Sequence, residues 1–496
     1  MTITVGNTIS RIHYGGKDHL VDRNFHKDIR EFMRYKEVGS FFARKKVGFH
    51  WDGYNYLITE KLLKFPTGFL SAVYNKCVLW GYTVEIDDQR KNWIESIPIT
   101  EFNSSIGTID GEVWVARDYQ EEAVKKIIYN TIVDDLHFPS GMLNEATNAG
   151  KTSMMALVLK NIPNANVVIL SNDQSIYIQL VEFFSQVLPN ETVGRVCSSI
   201  KGYTSKSITD FQRVTVCMQK TLLNRASASI NVKSTLAKTN VLIVDESDES
   251  GAATYAKVVS MIPAYYRIFV SGTSLDGVSK KSRFTAMGMS GPIVHSITNA
   301  DLIERGVSQK PKLKIYLSKT KAFVESYPEA VNACIVRSEE RLQHIANILS
   351  EKNVPTLISV RLLDHADFLL TRLSELMPDL RICSIEGKSS DRLEVMADFK
   401  EGRLDVLIAT TVIKRGINIP NIRRLIFAQG GKSATNLKQV VGRALRHDGE
   451  HDTVEVIDFF DTHKMLRKHS ITRINTYRKE QFDIEYCYPN KGGKPI

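Results

Sequence analysis

The sequence predicts an α/β protein: two tandem parallel-sheet domains preceded by a small α+β domain. Three observations predict it. Continuous apolar runs recur through residues 113–460, each ending in polar residues and most followed by a helix-like stretch. Strands covered on both faces of a parallel sheet read this way. The stretch Asn144-Glu145-Ala146-Thr147-Asn148-Ala149-Gly150-Lys151-Thr152 has the composition of a phosphate-binding turn between a strand and a helix. The first hundred or so residues lack the alternation and instead mix short strand patterns with clustered basic and aromatic side chains.

The bulk numbers agree with a folded chain of about three domains. Of 496 residues, 43% are hydrophobic and 24% charged, outside the range of disordered sequences. Lys and Arg outnumber Asp and Glu by 65 to 55, a balance compatible with nucleic acid but not diagnostic of it. The six cysteines form no Cys-x-x-Cys pair, which argues against structural zinc and a disulfide framework. No N-terminal apolar core flanked by positive charge is present, and no run is long enough to span a bilayer. A cytoplasmic location without membrane contact is expected.

Residues 1–110 form the expected accessory domain. Ile3-Thr4-Val5 and Ile9–Tyr14 read as strands, and Leu70–Trp80 as an amphipathic helix. Between them lie Arg30, Arg34, Lys36, Arg44, Lys45 and Lys46, then Trp51-Asp52-Gly53. Interleaved basic and aromatic residues can grip a nucleic-acid backbone and stack on bases; they can also be a solvated basic face over an aromatic core. Turn and polar residues across 98–112 read as a linker.

Residues 113–305 give the first parallel-sheet domain. A helix opens at Tyr119-Gln120. Strands follow at Val167–Leu170, ending in Ser171-Asn172, at Val214–Met218, ending in Gln219, at Val241–Val244, ending in Asp245-Glu246-Ser247-Asp248, and at Arg267–Val270, ending in Ser271-Gly272-Thr273. Residues 306–496 repeat the pattern without a phosphate loop. Their strands are expected at Leu313–Leu317, Thr356–Val360, Ile382–Ile385, Val406–Thr410, Arg424–Ala428 and Val454–Asp458, with helices at Arg337–Leu349, His365–Leu376 and Thr435–Leu445. The tail from Lys464 reads as a basic helix, solvated with some contact to a nucleic-acid backbone or else merely packed. Ligands in such sheets sit at the carboxyl ends of the strands, where the polar groups fall.

Three pieces carry chemistry. In the Gly-Lys-Thr turn, Lys151 would reach the terminal phosphates and Thr152 would ligate Mg²⁺, although Glu145 stands where the usual pattern has its first Gly. An accidental Gly-Lys-Thr is the bland alternative. Asp245-Glu246 ends a buried strand about ninety residues later, where one carboxylate can hold Mg²⁺ through water and the next can orient an attacking water. Gln439-Val440-Val441-Gly442-Arg443-Ala444-Leu445-Arg446 places Arg443 and Arg446 on one helix face, where two guanidiniums can stabilise a transferring phosphoryl group.

Taken in order, Tyr119-Gln120, Ala146–Thr152, Asp245–Asp248, Ser271–Thr273, Thr410–Pro420 and Gln439–Arg446 resemble the motifs of superfamily 2 helicases of the D-E-x-D type. The resemblance covers residues 113–460 and implies two RecA-like domains with ATP and Mg²⁺ held between them. It implies that Gln120 reads adenine, that Glu145–Thr152 cradle phosphate, and that Asp245 and Glu246 serve Mg²⁺ and water. Ser271, Thr273 and Gln439 would couple hydrolysis to motion, and Gly416, Arg443 and Arg446 would complete the site. Nucleic acid would meet Ser171, Asn172, Gln219, Arg361, Thr410 and Thr411. Asn148, Asn172 and Asn418 depart from the commoner residues at their positions. Trp51-Asp52-Gly53 followed by Phe65-Pro66-Thr67-Gly68-Phe69-Leu70 is similar to the leading domain of UvsW-type bacteriophage helicases. That likeness implies a monomeric motor in the host cytoplasm acting on forked or branched DNA and R-loops, with Lys45, Lys46 and Trp51 among its contacts. The alternatives are an RNA helicase and a decayed, non-catalytic nucleic-acid-binding protein.

Overall fold

The computed structural model describes residues 1–13, 19–36, 51–198, 200, 203, 211–247, 253–272, 280–386, 392–410, 422–445 and 453–487. The chain divides into two compact units, 1–145 with 150–296 and 146–149 with 297–496.

The first unit opens with β1 (Thr2–Val5), β2 (Ile9–His13), α1 (His19–Phe32), β3 (Arg34–Lys36), β4 (Tyr54–Tyr56), β5 (Lys64–Pro66), α2 (Leu70–Leu79) and β6 (Glu85–Asp88). Four of these strands form a sheet in the order β5-β2-β1-β6. Ile3 and Val5 turn inward while Thr2 and Thr4 do not, the period-two pattern of a one-sided sheet. Its core of Ile3, Ile12, Phe25, Phe65 and Leu70 is continuous with Phe138, Phe284 and Met287 from later in the unit. A Cβ on Gly68 would lie 2.2 Å from the Met287 carbonyl oxygen, so the Pro66-Thr67-Gly68 segment crosses that backbone where only glycine fits. Arg90 adds a second tie: it pairs with Asp88 at 2.8 Å, donates to the His137 carbonyl at 2.5 Å and lies over the Tyr265 ring.

The expected linker at 98–112 is largely a hairpin of β7 (Ser105–Ile109) and β8 (Glu112–Val115). Ile109 pairs with Glu112 across Asp110-Gly111, both at positive φ. That is the two-residue turn a hairpin prefers, and the turn residues at 110–111 serve it.

The first large sheet follows: α3 (Asp118–Ile128), β9 (Ser140–Glu145), α4 (Lys151–Asn161), β10 (Val167–Ser171), α5 (Gln174–Val187), β11 (Gly194–Val196), β12 (Val214–Met218), α6 (Gln219–Ala228), α7 (Ile230–Leu236), β13 (Val241–Val244), α8 (Ala253–Ser260), β14 (Tyr266–Ser271), α9 (Lys280–Ser290) and β15 (Ile293–Ile297). Its order is β11-β12-β10-β13-β14-β9-β15. The pairs from β11 through β9 are parallel. Every residue of β10, β13 and β14 is buried, as continuous apolar runs require.

The second unit contains α10 (Asn299–Glu304), β16 (Lys310–Ser318), α11 (Tyr327–Val331), α12 (Glu339–Glu351), β17 (Thr356–Ser359), α13 (Leu363–Leu376), β18 (Ile382–Ile385), α14 (Arg392–Lys400), β19 (Val406–Ala409), β20 (Arg424–Phe427), α15 (Ala434–Ala444), β21 (Thr453–Asp461), α16 (Lys464–Lys479) and β22 (Ile484–Cys487). Its sheet runs β18-β19-β17-β20-β21-β16-β22, the first order with β9 to β15 replaced in turn by β16 to β22. The expected helix at Arg337–Leu349 begins at Glu339, and a π-helical turn, Asn332–Val336, precedes it.

The basic tail is not simply solvated. In α16, Lys464, Arg467, Lys468, Arg478 and Lys479 face out, but Leu466, Arg473, Ile474 and Tyr477 are buried. Arg473 meets Asp458 with two nitrogens at 2.9 and 3.1 Å. A bidentate carboxylate offsets the desolvation of the guanidinium. Among the described residues no helix is long and apolar enough to cross a membrane.

Candidate functional site

Strand β9 carries the chain to the phosphate loop and α4 carries it away. Asn148 and Gly150 both have φ +79°, in the left-handed region. Glycine is the usual residue in that conformation, and asparagine is among the few others that adopt it readily. Asn148 therefore preserves the backbone that its departure from the commoner residue put in question. Gly150 has no such substitute, because a Cβ there would lie 2.2 Å from Gln120 Nε2. Gln120 is buried on α3 against the loop, and its Oε1 accepts the Arg117 backbone N–H at 3.0 Å. Burial also raises the pKa of neighbouring Tyr119, with Arg117 partly opposing it. The loop closes through the Ala149 N–H to the Ala146 carbonyl at 3.1 Å. Lys151 and Thr152 open α4 half-buried, at the positive end of the helix dipole.

Glu145 behaves differently from the other loop residues. Its side chain is fully buried, Oε1 lies 2.7 Å from His295 Nδ1, and Oε2 has no hydrogen-bond partner among the described residues. Expected with the cofactor-binding residues, it instead turns its carboxylate into the interior. The residues beside it are tied to the same stretch of β15: Asn144 Nδ2 donates to Ser296 Oγ at 2.8 Å, and the Ala146 N–H donates to the Ile297 carbonyl at 3.1 Å. The loop is thus rooted on the edge strand at three consecutive residues. His295 had no signal in the sequence, since its partner lies 150 positions away.

Asp245 and Glu246 leave the buried strand β13. The Asp245 N–H donates to the Leu170 carbonyl at 3.1 Å, and its Oδ1 accepts the Glu246 N–H at 2.9 Å. Glu246 is half-buried with φ +49°, an uncommon conformation for a non-glycine residue. Val244 is in register with Phe269, and Ser271 with Asn144. The acidic pair, Ser271 and the root of the phosphate loop therefore stand at the carboxyl ends of three adjacent strands. Next to them, Ser171 is in register with Met218, which brings Ser171-Asn172 and Gln219 together.

In the second unit, Gln439 and the buried Arg443 lie on α15. Exposed Arg361 follows β17 and buried Thr410 follows β19, neighbouring strands joined by the Val360 N–H to the Ala409 carbonyl at 3.0 Å. Lys45, Lys46, Asp248, Thr273, Thr411, Gly416, Asn418 and Arg446 lie outside the described residues. Trp51 is half-buried with its indole N–H donated to the Tyr54 carbonyl at 2.8 Å, so it holds a turn. The aromatic–basic pairing nearby is made by Arg30 over Tyr56 at 4.4 Å and Arg34 over Tyr54 at 4.2 Å.

Residues 114–275 match the family described as type III restriction enzyme, res subunit, and residues 340–448 match the helicase conserved C-terminal domain. This chain is a superfamily 2 helicase. The helicase is 22% identical to the ATP-dependent DNA helicase uvsW of Enterobacteria phage T4 over 95% of this chain and 98% of that protein. It is 24% identical to putative helicase 22 of the Sulfolobus islandicus filamentous virus (isolate Iceland/Hveragerdi) over 73% of this chain and 67% of that protein. In fold it is similar to S. cerevisiae Dbp5 bound to RNA and ADP BeF3, with TM-score 0.54, 16% identity and coverage of 75% and 89% of the two chains. The helicase accordingly has two tandem RecA-like domains and uses ATP.

Proposed function

We propose that this helicase is an ATP-dependent DNA motor that remodels forked and branched DNA, regressing forks, migrating junctions and unwinding R-loops in phage recombination and repair. The observation that carries this reading is the full-length likeness to a DNA helicase, 95% of one chain against 98% of the other. It includes the N-terminal module, whose core is continuous with that of the first motor unit. A DNA-gripping surface on that module would move with the motor rather than trail behind it.

In this reading the loop N–H groups and Lys151 bind the phosphates of ATP. Mg²⁺ would be held by Thr152 Oγ1 and, through water, by Asp245, supplying charge neutralisation. Glu246 orients the attacking water, and Arg443 with Arg446 stabilises charge on the phosphoryl group. Gln120 selects adenine; Ser271, Thr273 and Gln439 relay the nucleotide state. Ser171, Asn172, Gln219, Arg361, Thr410 and Thr411 follow the strand by its backbone, which makes binding salt-sensitive. The paired Arg30–Tyr56 and Arg34–Tyr54 faces, with Lys45 and Lys46, grip a duplex arm.

ATP turnover measured with forked DNA, single-stranded DNA and RNA tests this reading. Forked DNA should stimulate most, and Arg30→Ala with Arg34→Ala should weaken fork binding more than single-strand binding. Stimulation by RNA well above DNA would transfer the motor to RNA, and equal loss of fork and single-strand affinity would remove the branched-DNA role of the module.

A further inference from the structure

The second unit contains a cavity that none of the helicase motifs explains. It has a volume of about 200 Å³ and opens beside Arg361. It lies where β17 and β20 end, the part of a parallel sheet that holds ligands. The corresponding strand ends of the first unit, those of β10 and β13, carry Ser171-Asn172 and the acidic pair. Here β16 is followed by no Gly-Lys-Thr and β20 by no acidic pair, so a nucleoside triphosphate is not what this crevice suits.

Its walls are apolar, from Val331, Ile335, Val336 and Leu362. Ile335 and Val336 belong to the π-helical turn Asn332–Val336, a rare structure frequently found at functional sites. Gly430, at φ +63°, lets Ile335 in: a Cβ there would lie 2.6 Å from Ile335 Cδ1. Gln429 is fully engaged, donating to Ser359 Oγ at 2.7 Å and accepting from Asn436 Nδ2 at 3.2 Å. The polar group without an assignment is His365, 2% exposed, whose Nε2 has no hydrogen-bond partner among the described residues. Burial together with Arg341 and Arg337 lowers its pKa to about 3, so the imidazole is neutral and can present a hydrogen-bonding nitrogen. At the rim, Arg361 is exposed and the Tyr327 ring is held by His469, at 3.2 Å between Oη and Nδ1.

We propose that this cavity receives a single unstacked nucleobase of the bound strand, with His365 Nε2 on the base edge, apolar walls on its faces, Tyr327 at the mouth and Arg361 on the adjoining phosphate. The combination of apolar walls, one neutral hydrogen-bonding group and a rim cation is the chemistry of base capture. The inference rests on the nucleic-acid reading above and adds a base contact to a motor otherwise expected to track backbone.

2-Aminopurine, moved one position at a time along the single-stranded arm of a forked DNA, tests it, with the junction fixing the register and anisotropy reporting binding. Unstacking should give a several-fold rise in fluorescence at one position. An abasic site at that position should weaken wild-type binding about 5-fold. His365→Phe and Val331→Phe both fill the slot; in each the fluorescence rise and the abasic discrimination should disappear while the fork still binds. Thermal unfolding checks that each variant is folded, and if one is not, the other decides. A flat fluorescence scan with full binding, or a rise that survives in a folded slot-filled variant, would overturn the pocket and leave the motor reading intact. If the wild-type chain binds no fork or single strand, the nucleic-acid reading fails and the pocket falls with it.

Discussion

The two seven-stranded sheets have the same strand order but end in different chemistry. Where β9 leads into a phosphate loop, β16 leads into Lys319 and a segment with fully exposed Phe323. Where β13 leads into Asp245-Glu246, β20 leads into Ala428-Gln429-Gly430-Gly431. The first crevice is lined by backbone N–H groups, a lysine and carboxylates; the second by mainly aliphatic side chains and one neutral histidine, with Tyr327, Arg361 and Gln429 also in its lining. Their buried charges differ too. The first roots its loop on Glu145–His295, while the second locks α12 and α16 to β21 through Arg341–Asp461 and Arg473–Asp458. A shared topology fixes where ligands can bind, and the residues after each strand decide which ligands those are.

The strongest way to break this comparison is to remove the lysine that follows each first strand. Lys151→Ala should lower ATP turnover about 10²- to 10³-fold, the scale for losing one preorganised phosphate contact. Lys319→Ala, at the exposed lysine directly after β16, should change turnover by less than about twofold. Steady-state ATPase assays with saturating nucleic acid distinguish them, and similar losses in both would mean the two strand ends are not chemically distinct.

The next effect is pH-dependent and belongs to the second crevice. His365 is lowered from 6.5 to about 3 in the folded chain, so below pH 6.5 the unfolded chain binds a proton that the folded chain does not. Stability contributed at this position is therefore lost as pH falls from 6.5 towards 3. Between pH 7 and 5 the loss should be about 2 kcal/mol. Urea titrations of the wild type and His365→Leu should show a flatter pH response in the variant. Identical slopes would show that the imidazole is not held neutral by its surroundings.

The smallest effect sharpens the description of the loop. Asn148→Ala forces an ordinary side chain into the left-handed region, at about 1–2 kcal/mol, and should weaken nucleotide binding about 10-fold. Asn148→Gly should bind within about twofold of wild type. Fluorescent-nucleotide titration checks both, and an alanine variant with unchanged affinity would mean that the loop's backbone conformation is not what asparagine preserves.

Legibility in the sequence followed locality. The buried strands β10, β12, β13, β14, β17, β19 and β20 were readable because continuous apolar runs have few other uses. The hairpin at 105–115 was not legible because turn residues mark linkers and hairpins alike, and only pairing separates them. The packing of the tail was not legible because Arg473 counts as a surface charge until Asp458 is found beside it. Glu145 looked like a blemish in a phosphate loop, because its partner His295 arrives on a strand with no distinctive pattern. In the second unit, the π-helical turn and the slot beside His365 had no sequence signature at all.

The sequence by itself determined the alternation of strands and helices and the order of the motifs that mark a helicase. These are properties of short windows, where periodicity, a Gly-Lys-Thr and an acidic pair speak for themselves. Only the tertiary structure decided that the N-terminal module shares its core with the first sheet, that Glu145 roots the loop rather than facing a phosphate, and that His365 sits in a slot with its Nε2 unpartnered among the described residues. Each depends on residues far apart in the chain, and a buried polar group acquires its role from the partner that folding brings to it or withholds.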